Sequence, residues 1–190
     1  MKSRDTHIFT KERHGWYIEP SWCSERLFAT ESFPGVIYDP ACGWGTILHQ
    51  ASTAGYLTAG ADIIDRGRHK LGRQLFSIGD FLKRTRPFAN TSIVTNPPFD
   101  LVQEFAEHAL HLKARKVALI CLVRRLNAAR WLQDLPLEKV LLLTPRPSMP
   151  PGAYLKAGKK PGGGTQDFCW LILSPRHKGP PTLDWLRRDP

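Results

Sequence analysis

The sequence predicts an α/β fold built on a mostly parallel sheet, and two observations predict it. From Gly35 to Val123, short β-branched runs alternate with longer amphipathic stretches, the pattern of repeated strand–helix–strand units. Twice within that stretch an apolar run breaks into a turn dictated by its residues, at Asp39 to Gly45 (DPACGWG) and at Asn96 to Phe99 (NPPF). Such turns at the carboxyl edge of a parallel sheet are where α/β folds form ligand sites.

The strands follow from composition. Gly35–Asp39 (GVIYD) is the first, Leu57–Asp62 (LTAGAD) the second and Phe76–Ile78 a short third. Thr91–Thr95 (TSIVT), Lys116–Val123 (KVALICLV), Val140–Leu143 and Phe168–Leu173 (FCWLIL) complete the set. Helices fit between them over Thr46–Ala54, Arg66–Gly72, Leu101–Lys113 and Arg124–Leu132, with a short one over Ser21–Ala29 ahead of the first strand. In the helix after the fourth strand, Leu101, Phe105, Ala109 and Leu112 fall on one stripe, the spacing of a core face. Residues 144–167, carrying PRPSMPPG and KKPGGG, read as an irregular basic loop, and Pro175–Pro190 as a tail or peripheral turn. Residues 1–33 read as an N-terminal cap segment on one domain spanning 1–190.

Composition narrows the function. A chain of 190 residues with 42% hydrophobic and 23% charged residues is neither disordered nor fibrous. Its 27 Lys and Arg against 17 Asp and Glu give a net charge of +10, concentrated in three runs: Arg66–Arg86, Lys113–Arg130 and Arg146 onward. A single basic run is ordinary solvated surface; three together favour a nucleic-acid partner. The four cysteines lack the paired spacing of zinc sites, so no metal is expected. The start has no apolar signal core and no run is long enough to span a bilayer, so a cytoplasmic protein without membrane contact is expected.

Three stretches carry chemistry. In the first turn, Gly43 and Gly45 let the backbone approach a ligand closely, and the helix opening at Thr46 offers unpaired N–H groups. Asp62, about twenty residues on at the end of the second strand, is placed to accept both hydroxyls of a ribose; a helix cap is its plainer reading, and Asp65 competes with it. In the second turn, Pro97 and Pro98 force the chain out at the sheet edge and leave Asn96 at the cleft beside Phe99. The Asn96 side-chain carbonyl and the Pro97 backbone carbonyl together accept from an NH2 group, and Phe99 stacks on the planar system bearing it.

With those motifs in order, the chain resembles the class I S-adenosylmethionine-dependent methyltransferases that modify amino groups through an Asn-Pro-Pro-aromatic motif, over roughly Trp16 to Leu173. The resemblance implies a Rossmann-like three-layer sandwich with a mostly parallel seven-stranded sheet and an antiparallel last strand, here FCWLIL. It implies S-adenosyl-L-methionine as cofactor, its methionine part held by Asp39, Pro40, Cys42, Gly43 and Gly45. Asp62 then takes the ribose, Asp80 and Phe81 contact the adenine, and Trp16 of GWYIEP, with Tyr17 and Pro20, closes over the cofactor. Asn96, Pro97, Pro98 and Phe99 become the catalytic set. The segments ADIIDRG and PRPSMPPG resemble small phage- and prophage-encoded DNA adenine methyltransferases. Trp44 departs from the family, being bulkier than the residue usual between the two glycines.

The function expected is methyl transfer to an exocyclic amine of a nucleic-acid base, foremost adenine N6 in DNA. An RNA base, cytosine N4, a protein glutamine and a non-catalytic nucleic-acid-binding module are the alternatives. Arg146, Lys156, Lys159 and Lys160 are the residues expected to meet phosphates, in place of a separate recognition domain. The sequence leaves the oligomeric state open.

Overall fold

The computed structural model describes residues 15–67 and 75–188. Eight strands form one sheet: β1 Val36–Asp39, β2 Thr58–Asp62, β3 Leu75–Ile78, β4 Thr91–Thr95, β5 Val117–Leu122, β6 Leu137–Thr144, β7 Phe168–Leu173 and β8 Thr182–Arg187. Their order is β3-β2-β1-β4-β5-β7-β6-β8. β7 runs antiparallel to both neighbours, and every other pairing is parallel. This is the α/β, Rossmann-like sheet expected, with FCWLIL as its antiparallel strand.

The central strands are buried on both faces, which is why they read as continuous Val, Ile and Leu runs rather than as alternation. On one face lie α1 (Trp22–Thr30) and α2 (Thr46–Thr53), packing Cys23, Leu27, Ile47, Leu48 and Ala51 against Ile37, Ile120 and Trp170. On the other lies α3 (Val102–His111), whose Phe105, Ala106 and Ala109, with Leu112 beyond its end, meet Ile93, Leu119 and Leu171. Trp170 is fully buried, its indole donating to Cys23 O at 3.1 Å, which ties α1 to the middle of the sheet.

Three expectations are corrected. The segment read as a tail contains β8, parallel to β6 in the register Leu142↔Trp185, so the sheet has eight strands and FCWLIL is not the last. Arg124–Leu132 is not one helix but two 3₁₀ turns, Val123–Ala128 and Arg130–Asp134, broken at Ala129, whose ψ of 65° no helix continues. Within the loop 144–167 a short helix, α4, spans Gly152–Lys156, and Pro151 makes a β-bridge to Tyr17. The helix expected over Arg66–Gly72 falls mostly outside the described residues; Arg66 and Gly67 are irregular.

Among the described residues no helix is long and apolar enough to cross a membrane, and no group of three His, Cys, Asp and Glu side chains converges as a metal site would.

Candidate active site

At the carboxyl edge of the sheet the ends of β1, β2 and β4 open on a cavity of about 530 Å³. Its walls hold Trp16, Tyr17 and Glu19 from the N-terminal segment, Asp39 to Trp44 after β1, Asp62 after β2, Asp80 and Phe81 after β3, and Asn96, Pro98 and Phe99 after β4. The structure therefore brings together most of the residues singled out in sequence. Pro97 and Gly45 are buried behind it and do not line it.

The first turn is held by its own backbone. Cys42 N–H donates to Ala61 O at 2.9 Å, and Gly43 N–H to Asp62 Oδ2 at 3.0 Å, so β2 pulls the turn against the sheet. Gly43 has φ +51° and Gly45 φ +78°, left-handed values that favour glycine. A Cβ on Gly43 would sit 3.0 Å from the Trp16 indole nitrogen. Asp39 is wholly buried. Burial, and less strongly the nearby Glu19 and Asp62 carboxylates, hold its carboxyl well above the usual range against the Ala41 N–H bond. A cationic group entering beside it would draw it back towards ionisation.

Asp62 already has company. It accepts from Gly43 and Ile64 N–H, and Arg66 Nε lies 3.3 Å from its Oδ1. The Arg66 guanidinium also lies 4.7 Å from the centre of the Trp16 ring. A ribose at Asp62 must therefore share the carboxylate with Arg66 or displace it. Trp44 donates its indole N–H to Arg66 O at 3.1 Å and packs edge-on against Trp16, so the bulky residue between the glycines braces the segment after β2. Asp80 caps the turn after β3 through Leu82 N–H, and Phe81 is buried against Phe105.

The second turn carries the most directed geometry. Asn96 Nδ2 donates to Tyr17 O at 3.0 Å and to Glu19 Oε2 at 2.9 Å. Both of its N–H groups are thus spent on oxygens, and a flipped amide would set oxygen against oxygen. Asn96 Oδ1 is left buried and without a partner among the described residues. An unsatisfied buried acceptor costs free energy, about 1–3 kcal/mol, unless a ligand donates to it. Glu19 is the cavity residue that sequence reasoning passed over. Its signal was present, an acid inside the aromatic run GWYIEP, 6% exposed and so in need of a donor.

Phe99 lines the cavity and is packed between two rings. Its ring stacks on Tyr17, centroids 5.3 Å apart and planes 19° from parallel, and meets Phe168 at 5.4 Å. One face of the Phe99 ring is thereby covered by Tyr17. The N-terminal segment is itself clamped: Ile18 N–H donates to Pro150 O and Gly152 N–H to Trp16 O, each at 3.0 Å. The Trp16 ring occupies the space where a Gly152 side chain would stand.

The basic residues of the loop 144–167 stand apart from the cavity. Arg146 forms a two-pronged ion pair with Asp167, which neutralises it locally. Lys159 lies over the Tyr154 ring at 5.2 Å, and Lys156 and Lys160 are exposed.

No family model and no curated protein matches the sequence. Solved structures do share its fold. A protein of Pyrococcus horikoshii assigned as an RNA methyltransferase superposes with a TM-score of 0.61 at 17% identity, over 81% of this chain and 82% of its own. The M protein of the type I restriction enzyme EcoKI gives 0.57 at 14% identity, over 90% and 48%. Magnesium protoporphyrin IX methyltransferase of Synechocystis, solved with bound S-adenosylmethionine, gives 0.53 at 16%, over 80% and 76%. At these identities the likeness is one of fold: the chain has the Rossmann-like fold of methyltransferases.

Proposed function

We propose that the protein is an S-adenosylmethionine-dependent methyltransferase acting on an exocyclic amine of a nucleic-acid base, foremost adenine N6 in DNA. The observation that carries this reading is the Asn96 amide on the cavity wall, whose nitrogen is tied down by Tyr17 and Glu19 and whose oxygen is left a buried acceptor without a partner among the described residues. An acceptor so placed suits an NH2 donor and would repel a carbonyl.

The cavity suits the cofactor by size and by the chemistry of its walls. At about 530 Å³ it falls in the range of sites for small ligands. Asp39 offers a buried carboxyl to an ammonium, Gly43 a close approach of backbone, Asp62 a carboxylate for hydroxyls, and Phe81 an apolar wall for a purine. Bound there, S-adenosylmethionine supplies a methyl group on a sulfonium, with a neutral thioether as leaving group.

The chain's own part is orientation and exclusion of water. Asn96 Oδ1 accepts an amine hydrogen, leaving the nitrogen lone pair directed at the methyl. With the cofactor bound, transfer would form the nitrogen–carbon bond as the sulfur–carbon bond broke, and the extra proton on nitrogen would pass to water. Tyr17 turns off Phe99 to admit the base, while its backbone carbonyl keeps Asn96 in place. A base in a duplex must first leave the stack to reach Phe99.

The net charge of +10 and a nucleic-acid methyltransferase among the structural neighbours support a nucleic-acid substrate. The segments ADIIDRG and PRPSMPPG, on which the resemblance to small phage-type DNA adenine methyltransferases rests, favour DNA. Titration with S-adenosylmethionine, alongside counting of labelled methyl transferred to duplex DNA and to total RNA, tests the reading with Asn96→Ala as control. Binding retained and transfer lost in that variant is the expected result; transfer retained would remove Asn96 from the chemistry.

A further inference from the structure

β8 gives the sheet an edge whose outer face no other described residue covers. Leu183 and Trp185, two residues apart and so on one face, are 55% and 56% exposed. Arg187 continues that face, Arg188 follows it, and both are exposed. Trp185, Arg187 and Arg188 line a groove with Thr144 and Pro145 from the end of β6.

The place of this groove matters as much as its chemistry. β8 is parallel to β6, so both end on the carboxyl edge that carries Asn96. Phe168, which touches Phe99, begins β7 on that same edge. Four strand spacings separate β4, which leads into Asn96, from β8, about 19 Å in all. At roughly 3.4 Å of rise per nucleotide along a stacked strand, that distance is about six nucleotides. A strand whose base stands at Asn96 therefore passes the groove without bending back.

We propose that this groove holds nucleotides flanking the acceptor base, with Trp185 stacking on a base and Arg187 and Arg188 meeting phosphates. The inference rests on the nucleic-acid reading above and goes beyond it, because the expected phosphate contacts lay in the loop 144–167. There Arg146 is neutralised by Asp167, whereas here an exposed indole and two guanidinium groups stand together, the pairing that tracks a single strand without reading its sequence. A second copy of the chain is the poorer occupant, since it would press two such cationic faces together.

The test is binding of a labelled 12-nucleotide single strand and a matching duplex over a series of salt concentrations. Wild type is compared with Trp185→Ala, Trp185→Phe and Arg187→Ala/Arg188→Ala, with S-adenosylmethionine titrated into each to show an intact fold. Trp185→Ala is expected to weaken single-strand binding roughly tenfold and Trp185→Phe to leave it near wild type. The double arginine variant is expected to lower the slope of log affinity against log salt by roughly 1.5. Variants that bind like wild type, with an unchanged slope, would overturn the inference while leaving the methyltransferase reading in place. Wild type that binds neither probe would overturn the nucleic-acid reading itself. A wild-type dimer dispersed by Trp185→Ala would overturn the inference in favour of self-association.

Discussion

Asn96 donates to the Glu19 carboxylate at 2.9 Å across 77 positions of sequence, and that bond, with the one to Tyr17 O, leaves the amide oxygen as the acceptor without a partner among the described residues. Reversing the polarity of the pair tests what it does. Asn96→Asp sets two carboxylates together and is expected to lower kcat at least 100-fold with cofactor affinity little changed. Adding Glu19→Gln lets the glutamine amide donate to the aspartate. The double variant is then expected to recover at least tenfold over Asn96→Asp alone, as single-turnover rates would show.

Trp16 and Gly152 make a second dependent pair. A methyl group on Gly152 would fall 2.1 Å from the indole, an impossible contact, so Gly152→Ala must push Trp16 off the cavity. Overpacking of this kind costs about 1–3 kcal/mol, and cofactor affinity should fall with it. In Trp16→Ala the same glycine substitution should cost much less. Thermal melts and cofactor titrations of the four proteins would show that non-additivity.

Tyr17 separates its two roles by backbone and side chain. Tyr17→Ala keeps the carbonyl that holds Asn96 but uncovers Phe99. The expected outcome is a lower KM for the nucleic-acid substrate at nearly unchanged kcat. A raised KM would mean that the tyrosine ring is part of the platform for the base.

Acid titration probes Asp39 and Glu31 in opposite senses. Asp39 is raised, chiefly by burial, so below its raised value a proton must leave before a cation can pair with it. Cofactor affinity should therefore fall with pH in that range, by up to tenfold per pH unit, and Asp39→Asn should flatten the dependence at a weaker level. For Glu31 burial alone would raise the carboxyl, yet hydrogen bonds from Lys116 and Lys139 outweigh it and hold the group below its ordinary value. The stability it contributes is present above the ordinary glutamate range and is lost as pH falls through the lowered value. Melting temperatures of Glu31→Gln should drop less steeply on that limb.

The parts of the fold legible in sequence are those whose burial leaves a period. β1, β2, β4, β5 and β7 were marked by apolar runs and by the turns that end them, and the cavity walls followed from where those turns must point. β8 was missed because Pro180 and Pro181 precede it and its face is bare, so TLDWLR shows no core pattern. The 3₁₀ turns after β5 carry helical spacing but stop at Ala129, a break that no residue type announces. Glu19 and Asn96 lie too far apart in sequence for any local pattern to join them, and only the fold supplies the partner that a buried acid requires. The Tyr17–Phe99 stack was likewise hidden, because either ring alone reads as a free platform.

The most direct measurement digests the methylated product to nucleosides after transfer of labelled methyl from S-adenosylmethionine to unmethylated duplex DNA and to RNA. Label in N6-methyladenine from DNA, absent with Asn96→Ala, is the predicted result. Label on a ring carbon or a ribose oxygen, or none in any nucleic acid despite bound cofactor, would contradict an amine held at Asn96.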